Sequence, residues 1–120
     1  MFAFKLETGE RLWYTPPAGC GDRKRCSPAQ SAAVTSIPGV VFSGSVDGHL
    51  RAYSTADGKV IWDFDSVSPY KTVNEVPARG GSFDGPGPAI VGGLMLVNSG
   101  YARAGGMPGN VLLALTVDGN

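Results

Sequence analysis

The chain has one histidine, two cysteines, no excess of either charge and no long apolar run. Each shortage excludes a class of chemistry. With His49 as the single histidine, a Cys/His zinc site lacks ligands, and a nucleophilic serine at Ser31 or Ser43 lacks a nearby general base. His49 follows the turn pair Asp47-Gly48 and reads as structural rather than catalytic. Cys20 and Cys26, in CGDRKRC, are spaced more widely than the C-x-x-C of a redox dithiol or zinc knuckle. That spacing leaves two readings open, a local disulfide in an exported protein or two free thiols. Ten Lys plus Arg balance ten Asp plus Glu, so no global field attracts nucleic acid or an anionic membrane. The basic run Arg23, Lys24, Arg25 has no interleaved aromatics and reads as a solvated loop. No apolar run approaches the ~20 residues of a transmembrane helix, so no transmembrane segment is expected. MFAFKLETGE has no basic flank leading into an apolar core, and this stretch is not expected to be a signal peptide. The glycines of PARGGSFDGPGP lack the lysine and hydroxyl that close a phosphate loop.

What the chain does have is apolar residues, turns and a repeat. Apolar residues make up 42% of it and charged residues 17%, a balance that disfavours disorder. Eighteen glycines and nine prolines without a three-residue period point to many turns. AFKLETGERLW, Ala3 to Trp13, returns as AYSTADGKVIW, Ala52 to Trp62, roughly fifty residues later. A third, partial copy, LLALTVDGN, repeats the alanine at Ala114 and the glycine at Gly119. A period of this size is near that of a propeller blade.

The short apolar stretches, punctuated by Gly and Pro, read as strands and not helices. VVFSGS, Asp47-Gly48, HLRAYS, the turn Thr55 to Gly58 and KVIWDFD predict consecutive antiparallel strands. GLMLVNS and NVLLALT supply the corresponding pair further on, and Ala32 to Gly39 and Pro88 to Val91 each supply a preceding strand. Leu50, Ala52 and Ser54 fall on one face of their strand, with Arg51 and Tyr53 on the other. The expected fold is all-β, a partial β-propeller of four-stranded antiparallel blades. Residues 1–14 end one blade, 15–65 form a second with its preceding loop, and 66–120 a third. About two and a half blades cannot close a ring, so the remaining blades or self-association are expected to cover the open faces. Strand parity puts the short turns at one end. The long connections Thr15 to Ser31, Ser66 to Phe83 and Gly100 to Pro108, read as loops without regular structure, gather at the other, the natural place for a binding surface.

The glycine-then-tryptophan hairpins resemble the repeat of the quinoprotein dehydrogenases. PARGGSFDGPGP and NSGYARAGGMPGNVLLAL are similar to the polyvinyl-alcohol-dehydrogenase-like branch of that family. The resemblance implies Trp13 and Trp62 as docking tryptophans laid across the adjacent blade. It also implies a parent that oxidises alcohol groups with pyrroloquinoline quinone and calcium, passes electrons to an acceptor, and is periplasmic or extracellular. Four residues in or beside the long connections are candidates for cofactor binding by place and chemistry: Asn74 as an amide donor, Arg79 as a partner for a carboxylate, Asp84 as a metal ligand or base, and Tyr101 lining the cleft. The family's catalytic base, calcium ligands and adjacent-cysteine disulfide have no assignable counterparts here. The alternative is a non-enzymatic propeller scaffold that binds protein or polysaccharide.

Overall fold

The structure is a computed structural model that describes residues 1–101 and 105–117. Gly119, the glycine of the third repeat copy, lies outside the described residues. Among the described residues eleven strands form four antiparallel sheets. A hairpin of β1 (Phe2–Phe4) and β2 (Arg11–Tyr14) comes first. The central sheet is a meander of β3 (Thr35–Ile37), β4 (Val40–Gly44), β5 (His49–Ser54) and β6 (Val60–Asp65). After a small hairpin of β7 (Pro69–Tyr70) and β8 (Ala78–Arg79), the last sheet pairs β9 (Ala89–Val91), β10 (Leu94–Ser99) and β11 (Val111–Thr116). The architecture is all-β and open: among the described residues no sheet closes on itself.

The β7–β8 hairpin corrects the expectation that Ser66 to Phe83 lacks regular structure. Its strands are too short for a readable period. Contacts from outside the hairpin hold it: the Tyr70 hydroxyl donates to the Ser66 carbonyl at 3.1 Å, and Gly80 N–H to the Ser68 carbonyl at 3.0 Å.

Period-two alternation divides the central sheet into two chemically different faces. Cross-strand pairing aligns Phe42 with Ala52 and Trp62, and Gly44 with Leu50 and Phe64, along an apolar face. On the other face Ser43 lies opposite Arg51 and Asp63, with His49 opposite Asp65. Both faces are covered at β5, where Leu50, Arg51, Ala52 and Tyr53 are all buried. The apolar face meets the last sheet in a core of Leu50, Phe83, Val97, Val111, Leu113 and Leu115, with Trp62 and Phe64 packed at its margin. Phe83 lies on the bare α-carbon of Gly44, where a methyl group would stand 2.5 Å from the Phe83 Cβ.

Trp13 shows how one hairpin engages the next. Its indole Nε1 donates to the Thr55 carbonyl at 2.9 Å, and its ring covers Gly58, where a Cβ would come within 2.5 Å of the indole. Gly58 has a φ of +73°, so the turn and the docking both call for glycine. Trp62 stacks on Phe64 with ring planes 3° apart and lines an apolar cleft of about 540 Å³ between the central and last sheets.

Candidate functional site

The connecting segments interlock at the end of the sheets marked by the β4–β5 turn. Ala29 accepts from Val46 N–H, Phe83 N–H donates to Ser45, and Ser66 N–H donates to Gly48. Four buried serines tie these backbones together. Ser66 Oγ reaches the Gly48 carbonyl at 2.8 Å and Ser99 Oγ at 2.7 Å. Ser99 Oγ accepts from Gly81 N–H at 2.9 Å, and Ser82 Oγ donates to the Val46 carbonyl at 2.6 Å while accepting from Met107 N–H at 2.8 Å. Ser45 Oγ bonds the Asp47 carboxylate and accepts from Arg51 Nη1 at 3.0 Å. A hydroxyl both donates and accepts, so each serine can tie together two polar groups from different segments.

On the polar face of the central sheet, Arg51 is the hub of a charged cluster. Its Nη2 lies 2.8 Å from Asp47 Oδ2 and its Nε 3.0 Å from Asp63 Oδ2, with Arg51 and Asp47 both buried. His49 Nδ1 lies 2.6 Å from Asp63 Oδ1, and its Nε2 3.7 Å from Asp65 Oδ2. Arg23 grips Asp65 through both nitrogens, at 2.5 and 3.2 Å, and donates to the Asp47 carbonyl at 2.9 Å. Burial pushes the Asp47 carboxyl up, but hydrogen bonds from Arg51, Ser45 and His49 N–H outweigh it and hold the group below the usual carboxylate range. Asp65 follows the same pattern, burial being outweighed chiefly by Arg23 and Val67 N–H. Each aspartate is matched to a cation or to His49, so the cluster can brace the sheet end but has no carboxylate free to act as a base.

Arg23 therefore departs from the expected solvated loop. The cysteines flanking it are joined: Cys20 and Cys26 form a disulfide with α-carbons 5.8 Å apart. Sequence reasoning missed the charged cluster because its members come from four segments. The one local signal was the placement of His49, Arg51, Asp63 and Asp65 on a shared strand face, with charges of opposite sign across the pair.

The four proposed cofactor residues do not converge. Asn74 is exposed at the tip of the β7–β8 hairpin, its Oδ1 3.5 Å from Val76 N–H. Asp84 caps its own turn by accepting from Gly85 N–H at 2.9 Å. Arg79 is exposed on β8; its backbone pairs with Asn110, and its guanidinium has no ion pair among the described residues. Tyr101 accepts from Asn98 at 3.3 Å beside a polar hollow of about 330 Å³ that includes Ser99, Gly100, Gly109 and Asn110. Among the described residues no hydrogen bond or ion pair links any two of the four. Nor does any group of three or more His, Cys, Asp or Glu side chains among the described residues form a metal cage.

No protein-family model matches the chain. It is 48% identical to a polyvinylalcohol dehydrogenase of Pseudomonas sp, an alignment covering 99% of this chain and 20% of that protein. This chain is homologous to polyvinylalcohol dehydrogenases over nearly its full length. A second such dehydrogenase, from Sphingopyxis sp., is 41% identical over the same share. The dehydrogenase subunit of a quinone alcohol dehydrogenase from Gluconacetobacter polyoxogenes is 29% identical over 88% of this chain and 14% of that subunit. The chain spans about a fifth of the length of the polyvinylalcohol dehydrogenases it matches.

Proposed function

We propose that the chain is a segment of a quinoprotein oxidoreductase that oxidises alcohol groups, with a polymeric alcohol as the substrate class, and that its sheets are consecutive blades of a propeller. The observation that carries this reading is the similarity to polyvinylalcohol dehydrogenases along 99% of the chain. Support comes from the Trp13–Thr55 docking contact and from the gathering of the connections at one end. The disulfide suits a periplasmic or extracellular location.

Pyrroloquinoline quinone and calcium belong to the proposed parent. The donor set described here does not fit a complete site for either: its aspartates are paired, and the four candidate residues lie apart. In this reading the segment supplies braced walls, and the rest of the parent supplies most of the cofactor contacts. Arg79 and Tyr101 are the positions we propose to reach such a site from this segment, because the Arg79 guanidinium has no ion pair among the described residues and Tyr101 borders a polar hollow. Asn74 and Asp84 remain weaker proposals, since their side chains already serve local turns.

The test is to express the full reading frame that contains this chain, supply calcium and the quinone, and follow dye-linked oxidation of primary, secondary and polymeric alcohols. Turnover with a polymeric alcohol is expected. Absence of turnover with all three, in a folded protein, counts against the enzyme and in favour of the scaffold.

A further inference from the structure

The segment from Pro16 to Pro28 runs past the charged end of the central sheet with few ties to it. Among the described residues, apart from the local bond from Ala29 N–H to Ser27 Oγ, every hydrogen bond or ion pair from this segment to another part of the chain is made by Arg23. Arg23 lies inside the ring closed by Cys20–Cys26, and within that ring its own N–H donates to the Cys20 carbonyl at 3.2 Å. The disulfide, Arg23, Asp47 and His49 together line a small cavity of about 170 Å³. The His49 side chain is 25% exposed at this place.

We propose that the Cys20–Cys26 bond is a redox latch that presents Arg23 to Asp65 and the Asp47 carbonyl, and that its reduction releases this strap and uncovers His49. The reductant is a dithiol. Its thiolate attacks one cystine sulfur to give a mixed disulfide, and its second thiol resolves that bond. Two electrons and two protons thereby pass to Cys20 and Cys26, and the reductant leaves as a cyclic disulfide. Opening the ring restores conformational freedom to the residues on either side of Arg23. The guanidinium contacts, partly exposed and screened by solvent, do not hold the segment unaided. Coupling of this kind is reciprocal, so the Arg23–Asp65 pair in turn protects the disulfide. The device does not depend on the oxidoreductase reading.

His49 is the single histidine, so carbethoxylation by diethylpyrocarbonate, followed at 240 nm, reports on it alone. The full 120-residue chain would be compared oxidised and after reduction, thiol capping with iodoacetamide and desalting. The comparison is made at one pH and one reagent concentration for all forms. The expected result is a rise in carbethoxylation rate of about fivefold on reduction, the scale of a lost exposed ion pair. Arg23→Ala should give a similar rise while oxidised, and reduction of that variant should add little. Arg23→Ala and Asp65→Asn should each also speed disulfide reduction by dithiothreitol several-fold. Both residues are part exposed, so these variants retain the sheet, which far-ultraviolet circular dichroism checks. An unchanged rate at His49 on reduction overturns the latch, whatever the variants do. Equal rates of disulfide reduction in wild type and Arg23→Ala overturn the reciprocal coupling.

Discussion

Arg51 illustrates why a charge can sit in the middle of a sheet. Its guanidinium is buried, yet each face of the fork has a partner: Asp47, Asp63 and the hydroxyl of Ser45. Removing the cation would leave the Asp47 carboxylate buried with only hydroxyl and amide donors. Arg51→Met should therefore cost about 3 kcal/mol, read as a shift in urea midpoint, although methionine fills much of the same volume. Asp47→Asn in the same background should recover part of that loss, a non-additivity expected only if the two groups are coupled. The pH dependence follows from the direction of the shifts. Asp47 and Asp65 have folded values depressed below the ordinary 3.8, so their stabilisation is fully present above that pH and is lost as pH falls through the folded values. Acid titration should show stability falling off below about pH 4, and Asp47→Asn should flatten that limb. A limb of the same steepness in wild type and variant would remove Asp47 from the account.

The strands were legible in the sequence because their signals are local. Asp47-Gly48 and the Asp57-Gly58 turn sit between runs of alternating residues, and β5 and β6 begin and end within a residue or two of those runs. The preceding strand, read from Ala32, is in fact β3 at Thr35–Ile37, and Ala33 N–H ahead of it donates to the Gly85 carbonyl at 2.8 Å instead of joining the ladder. The site end was less legible for a physical reason: serines 45, 66, 82 and 99 carry no periodic signal, and their partners lie up to 36 residues away. Arg23 was misread for the same reason, since Asp65 is 42 residues distant. Hairpin docking has its own discriminating test. Gly9 and Gly58 occupy equivalent turns with φ of +70° and +73°, but a Cβ at Gly9 meets nothing within 4 Å, whereas at Gly58 it strikes the Trp13 indole. Gly9→Ala should cost about 1 kcal/mol from backbone strain alone. Gly58→Ala should cost about 3 kcal/mol and alter Trp13 fluorescence, because overpacking adds to the same strain. Equal costs for the two would mean that Trp13 does not dock as described.

At the scale of the whole molecule, the repeat predicts which surfaces lack a neighbour. Ala52 lies on the face of the central sheet that the last sheet covers, and it is buried. Its counterpart Ala114 lies with Leu112 on the outward face of β11, and both are exposed. At the other end the Phe2 ring stacks on both Phe4 and Tyr14, on a face of the first hairpin that no sheet covers among the described residues, each ring about half exposed. The radius of gyration, 14.6 Å, exceeds the roughly 13.5 Å of a compact chain of this length, as expected of sheets set side by side. Exposed aromatic and aliphatic faces beside β1 and β11, which are edge strands of their sheets among the described residues, favour association, which removes that apolar area from water. The isolated chain should therefore sediment with a coefficient that rises with concentration across the micromolar range. Phe2→Ser with Phe4→Ser should lower that slope while leaving the central sheet intact, because neither ring belongs to the buried core. A single compact species at every concentration up to about 100 μM would show that these faces need no neighbour, and would remove the physical ground for reading the sheets as blades of a larger ring.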